Sequence, residues 1–206
     1  MKAEELELLK RYFPEASVAM VGEMYSQRRF KLHFKRPRSS KLGDFRPPRT
    51  KNSICAITLN LDLNPYQMLI TYVHEVAHYD MYQQYGSRKV KPHGLEWQQQ
   101  FATLLQPFMT ETIFPEDVLA ALHNHLRHIK ASSNADHNLQ RVLQQYDKNA
   151  ASVTTVESLP DSARFATKNG LVFRKGKKQR TRYKCYCESN GRWYFVSALA
   201  ECQTVD

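Results

Sequence analysis

The stretch "NPYQMLITYVHEVAHYDMYQQYG", residues 64–86, constrains the fold more than any other. Asn64 is a favoured N-cap and Pro65 suits the first helical position, where a missing N–H costs nothing. Gly86 is a favoured stop, because it adopts the left-handed backbone of a C-terminal cap. The expectation is one helix from Pro65 to about Tyr85. Val73, Val76 and Ala77 are small and apolar, as on a buried helix, so other elements must cover it. Upstream, "RRFKLHFKR" alternates Phe30, Leu32 and Phe34 with Arg29, Lys31, His33 and Lys35. Period two over this length means a half-buried strand. "SICAITLNLDL" reads as a more buried strand, and a short one is expected near Leu42–Phe45. Helices are expected over about 3–12 and 15–27, broken at Pro14, and again over about 94–108, 115–130 and 135–146. The fold class is therefore α+β, with the long helix packed on a small sheet.

Inside that helix lies "HEVAH". On a helix, residues i and i+4 share a face, so His74 and His78 can grip one ion from one side. Glu75 then points beside that ion. Two neutral imidazoles, an activated water and a carboxylate to accept its proton are the parts of zinc-dependent hydrolysis. Catalytic zinc takes a third protein ligand and keeps one position open. Asp80 falls on another face of the same helix. His93 ends a loop beside Gly94, and Glu96 opens the next helix. Spacing leaves both open, although a loop residue backed by glycine can approach a metal closely. His123, His125, His128 and His137 have no carboxylate or cysteine completing a set nearby in sequence, and read as a solvated helix face.

The chain has 206 residues, enough for one full domain and a small second one. Residues 147–162, "DKNAASVTTVESLPDS", lose apolar periodicity and read as a linker between a domain over 1–146 and a basic β unit over 163–206. Asn169–Gly170 and Asn190–Gly191 mark hairpin turns, the first read as a two-residue turn. No apolar run approaches the roughly 20 residues needed to cross a bilayer. No secretory signal is read, so the cytoplasm is the expected compartment. The four cysteines are too few and too uneven for a disulfide framework. Cys55 reads as a buried free thiol.

Charge is distributed unevenly. Residues 28–51 hold ten Lys/Arg and one acid, and residues 164–192 repeat that count. Each block is +9 in a chain of net charge +10, so the remainder is −8. Two such blocks point to a polyanion, most simply nucleic acid. The candidate contacts are Arg29, Lys31, Lys35, Arg36 and Arg38 in the first block. In the second they are Arg174, Lys175, Lys177, Lys178, Arg180 and Arg182.

"HEVAH" together with "KPHGLEW" resembles the SprT-like (Spartan-type) metalloprotease family. "SKLGDFRPP", "SICAITLNLDL" and "NPYQMLITYVHEVAH" are also similar to it. The likeness covers roughly residues 15–110, and the tail more loosely. It implies a zincin-like domain holding one catalytic zinc ion on His74, His78 and His93, with Gly94 and Trp97 matching the pattern around the third ligand. It implies Glu75 as general base, protein substrates held on or crosslinked to DNA, and activity gated by DNA. Many members end in a zinc ribbon with two cysteine pairs. Here only Cys185, Cys187 and Cys202 are present, so the resemblance implies a degenerate ribbon-like tail, packed without its metal by Tyr183, Tyr186, Trp193, Tyr194 and Phe195. Aromatics on the alternate face of that tail, interleaved with Arg and Lys, could instead stack on unpaired bases. The oligomeric state is not legible.

Overall fold

The computed structural model describes residues 3–38, 40–50, 52–86, 91–127, 129 and 136–205. The chain divides into two compact units, Met1–Asp147 and Lys148–Asp206. Its class is mixed α and β.

In the first unit, α1 (Ala3–Tyr12) and α2 (Val18–Ser26) precede β1 (Phe30–Lys35), β2 (Gly43–Arg46) and β3 (Cys55–Asn60). The strands form a sheet of order β1-β3-β2, with β1 parallel and β2 antiparallel to β3. The central strand β3 is buried along nearly its whole length, on both faces rather than one. Across the sheet lies α3 (Pro65–Tyr85), with the ends that Asn64, Pro65 and Gly86 foretell. The Asn64 side chain accepts from the Gln67 N–H at 2.9 Å. Its amide donates to Leu143 O at 2.8 Å and to Asp147 Oδ1 at 2.7 Å. One residue therefore caps α3 and ties down the end of the unit.

Met68, Leu69, Tyr72, Val73, Val76 and Ala77 are fully buried, so α3 is the axis of the core. Around it follow α4 (Leu95–Leu105), α5 (Glu116–Arg127) and α6 (His137–Gln144). His125 corrects the reading of a solvated histidine face. It is 2% exposed, and its Nδ1 lies 3.1 Å from Asp136 Oδ2. His128 lies outside the described residues.

The second unit is a curled antiparallel sheet of seven strands. These are β4 (Thr154–Thr155), β5 (Arg164–Thr167), β6 (Val172–Arg174), β7 (Lys178–Gln179), β8 (Arg182–Cys187), β9 (Arg192–Ser197) and β10 (Glu201–Thr204). β5, β6, β8 and β9 run as a meander, and β10 returns to pair with β5. Gly176 separates β6 from β7, and a Cβ there would meet Lys184 O at 2.0 Å. The expected linker is part of this unit. Thr154–Thr155 pair with β10, while Val156 is fully buried and Leu159 5% exposed. A two-residue strand and two short 3₁₀ turns, Ala150–Ser152 and Val156–Ser158, carry too little pattern to register as periodicity. The first hairpin also differs from expectation. Gly170 N–H bonds Thr167 O at 2.8 Å and Thr167 N–H bonds Leu171 O at 3.0 Å, which makes a three-residue loop with Gly170 at φ 79°.

Candidate metal centre

Three imidazoles converge at the surface of α3. His74 and His78 project from its second half, one turn apart, and His93 arrives from the loop before α4. The Nε2 atoms form a nearly equilateral triangle: His74 to His78 3.2 Å, His78 to His93 3.0 Å, His93 to His74 3.2 Å. Four-coordinate zinc with Zn–N of about 2.0–2.1 Å has ligand–ligand edges of about 3.3 Å. The triangle is close to that face, and a tetrahedral ion on it keeps one corner open. Among the described residues, this is the set of His, Cys, Asp and Glu side chains whose ligating atoms lie close enough together to hold a metal ion. An all-nitrogen donor set suits zinc and other first-row transition metals, and does not suit calcium or magnesium, which take oxygen.

Of the residues that spacing leaves open for a third position, His93 is the one that joins the group. Its backbone is left-handed at φ 63°, uncommon for a residue with a side chain. Its carbonyl accepts from Gln98 Nε2 at 3.0 Å, and Gly94 N–H closes a turn on Lys91 O at 2.8 Å. A Cβ on Gly94 would sit 3.0 Å from that Lys91 carbonyl, so glycine fits the turn best. Glu96 is exposed and stands outside the histidine group. Asp80 is committed elsewhere: Arg28 grips both its oxygens at 2.8 Å, and Gln100 Nε2 donates to Oδ2 at 2.8 Å. The ion pair ties α3 to the end of α2, where Arg28 also donates to Met24 O at 3.1 Å, and the Gln100 hydrogen bond ties α3 to α4.

Trp97, on the first turn of α4, is 1% exposed and packs against all three ligand rings. Its ring centroid is 4.6 Å from His74, 5.2 Å from His78 and 4.7 Å from His93. Phe101 stacks behind it at 5.2 Å, with an interplanar angle of 6°. Burial holds His74 well below the usual histidine range, lowers His78 to about 4 and lowers His93 as well. Proximity of the rings to one another adds to the effect for His74 and His78. At neutral pH all three are neutral, as ligation requires.

Glu75 is 6% exposed. One residue after His74, it turns about 100° around the helix, towards β2. There it lies against Gly43: a Cβ on that glycine would come within 2.7 Å of Glu75 Oε1 and 2.8 Å of Thr71 Cγ2. Burial pushes the Glu75 carboxyl up to about 8, opposed by a hydrogen bond from the Phe45 backbone. Neighbouring Asp44 pushes it further up, while Lys41 and Arg38 pull it down. Gly43 and Phe45 are neighbours of Glu75 that sequence reasoning placed on a short strand and in a stretch similar to the family, but did not assign to the site.

The expected nucleic-acid contacts divide. Arg29, Lys31, Lys35 and Arg36 are exposed, and Lys31 and Lys35 share the outward side of β1 with His33. Arg38 is half-buried and donates through Nε to Asn60 Oδ1 at 2.8 Å. Arg174 pairs with Glu188 at 2.9 Å. Lys175 is a correction. It is 4% exposed, its Nζ donates to the carbonyls of Glu157 and Leu159, and it lies 4.3 Å from the centre of the Tyr183 ring. It fastens the 154–159 segment and is closed to a ligand. Lys177, Lys178, Arg180 and Arg182 are exposed.

Cys55, Cys185, Cys187 and Cys202 are free and buried. No described helix is long and apolar enough to cross a membrane. Neither a scan against protein-family models nor a search of curated proteins finds a match to this chain.

Proposed function

We propose that the chain is a zinc-dependent metallopeptidase with a zincin-like first unit, of the SprT-like kind that its motifs resemble. The observation that carries this reading is the triangle of Nε2 atoms 3.0–3.2 Å apart, with Glu75 on the same helix as two of them. A structural metal site would need no such carboxylate. His74, His78 and His93 would hold the zinc ion, which would supply a Lewis acid that polarises a carbonyl and lowers the pKa of water towards about 7.

The chain's own groups do the rest. His74 and His78 are held by the helix, and His93 by its turn and by Gln98. Trp97 fills the space behind the three rings and keeps water from that side. Glu75 accepts the proton of the attacking water and returns it to the leaving amine. An ion held by the three histidines would offset the burial that pushes this carboxyl up to about 8. β2 is an edge strand, and among the described residues its outer side has no strand partner. An extended polypeptide can pair along such an edge beside Glu75, which favours a protein substrate over a small molecule. The two +9 blocks support substrates held on nucleic acid, DNA in the family that the motifs resemble.

The test is proteolysis of a DNA-binding protein by wild type and Glu75→Gln, each loaded with zinc, with and without single-stranded DNA. Cleavage that needs Glu75 supports the peptidase. Zinc-loaded wild type that cleaves nothing overturns it. Cleavage indifferent to DNA retains the peptidase and removes the gating.

A further inference from the structure

β2 is one edge of the three-stranded sheet, and β1 is the other. The parallel pairing of β1 with β3 decides which backbone groups of β1 face outward. Leu61 N–H donates to Lys35 O at 2.9 Å, and Lys35 is in register with Asn60. Along a parallel ladder, alternate residues turn both their N–H and their carbonyl to the same neighbour. Lys31, His33 and Lys35 therefore bond β3, while Phe30, Leu32 and Phe34 turn their backbone groups away from it. The Leu32 N–H is taken by the Tyr25 hydroxyl. The Leu32 carbonyl and both backbone groups of Phe34 have no partner on that side among the described residues.

The side chains of β1 divide by face. Phe30, Leu32 and Phe34 lie on the core side, and Lys31, His33 and Lys35 are exposed on the other. On the core side, next to the open stretch of edge, is a hollow of about 330 Å³ that opens to solvent. It is lined by Glu5, Leu8, Leu9, Tyr25, Leu32 and Phe34. Leu8, on α1, is 44% exposed. Tyr12 stacks on Phe34 with ring centroids 4.8 Å apart and backs that wall.

An unpaired edge beside an apolar hollow suits an added strand: main-chain bonds supply affinity, and the hollow selects alternate side chains. Charge says which strand. A second copy of β1, paired edge to edge about His33, would set Lys31 against Lys35, and like charges repel there. Lys31 and Lys35 carry no ion pair among the described residues, so carboxylates complement them. A phosphodiester chain lacks the alternating N–H and carbonyl that this edge can pair with. Glu5, the one charged group of the hollow, also repels phosphate. The incoming strand has period two as well. Its residues on the α1 side enter the hollow and are apolar, and those between them stand beside Lys31 and Lys35 and are acidic.

We propose that the free edge of β1 docks an extended segment of a partner protein in which apolar and acidic residues alternate. The segment pairs with Leu32 and Phe34, seats apolar side chains beside Leu8, and faces Lys31 and Lys35 with carboxylates. The site is on the opposite edge from β2, against which Glu75 lies, and does not rest on the peptidase reading.

The test is fluorescence anisotropy of the full chain with a labelled peptide of four valines and three glutamates in strict alternation, checked intact by mass spectrometry. Three control peptides carry the same residues in two blocks, lysine in place of glutamate, or methyl groups on alternate backbone nitrogens. Wild type should bind the alternating peptide and bind each control at least about 10-fold more weakly. Leu8→Glu places a charge at the hollow from an exposed position and should weaken binding at least about 10-fold, with circular dichroism checking the fold. Lys31→Glu/Lys35→Glu should reverse the preference, rejecting the glutamate peptide and accepting the lysine one. No binding of the alternating peptide by wild type overturns the proposal, and an oligo-dT 15-mer bound through Lys31 and Lys35 in its place would assign the face to nucleic acid. Equal binding of the blocked peptide overturns it too, since the face is then a generic cationic surface. So does equal binding of the methylated peptide, or a Leu8→Glu protein that binds undiminished.

Discussion

Two clusters of ligand-type residues sit one in each unit, and only one of them converges. His74 and His78 lie one helical turn apart, and a third ring closes on them until the nitrogens are 3.0–3.2 Å apart. Cys185 and Cys187 are fully buried, where the histidines are half-buried, and also share a face, but on a strand. Residues i and i+2 of a strand stand about 6.6 Å apart and project in parallel. Their thiols, with Cys202, fill a core instead of meeting around an ion. The lesson is geometric. Sharing a face is not enough for chelation; the backbone must also aim the side chains at one point, as a helix turn plus an incoming loop does.

The widest separation between the clusters should appear in metal content. Wild type should carry one equivalent of zinc by elemental analysis, and His78→Ala should lose affinity by more than about 100-fold. Cys185→Ala, Cys187→Ala and Cys202→Ala should each keep the full equivalent. A second equivalent that disappears with a cysteine would break the comparison. Next comes turnover. Glu75→Gln should retain zinc and lose at least about 100-fold in peptidase rate, measured on a quenched peptide or a protein substrate.

Gly43→Ala should cost roughly 10-fold in the same assay with zinc retained, because the new Cβ falls 2.7 Å from Glu75 Oε1 and must displace the carboxylate. This sharpens the contrast, since it tests aim rather than ligand identity.

Much of the converging cluster is legible in sequence, because its signals are local. Asn64, Pro65 and Gly86 bound α3, and the i, i+4 spacing sets two of the three rings on one face. What separates His93 from Glu96 is a left-handed backbone at one residue, which no periodicity announces. The contact of Gly43 with Glu75 joins residues far apart in sequence and needs the folded sheet. Lys175 is different, because its signal was present. It stands two residues after Phe173, on the same inward phase, while Arg174 between them is exposed. The run of cations around it hid that alternation. Residues 154–159 escaped notice because a two-residue strand draws its stability from partners distant in sequence.

A smaller effect concerns acidity in the metal-free protein. The Glu75 carboxyl is pushed up to about 8 when folded, against an ordinary value near 4.5. Between those values the folded state holds the extra proton, so this group's contribution to stability is full at low pH and lost as pH rises through about 8. The histidines have lowered values, and their contribution is lost only as pH falls below about 6.5. From pH 6.5 to 8, therefore, the first unit should lose stability by at most about 1.4 kcal/mol per pH unit. Thermal melts should show that slope in wild type and its absence in Glu75→Gln. The least effect is expected from Cys187→Ala, about 1 kcal/mol from the melt of the second unit with peptidase rate unchanged.

The position of Trp97 has a practical consequence. The chain contains two tryptophans, Trp97 against the three histidine rings and Trp193 bare on the second unit. Each unit thus carries its own intrinsic fluorophore. The sealed indole should emit to the blue and respond to titration with zinc or cobalt; the exposed one should emit to the red and be quenched by acrylamide. A Trp193→Phe protein would report on metal loading alone, and a Trp97→Phe protein on the second unit alone, so both units can be followed optically without a label.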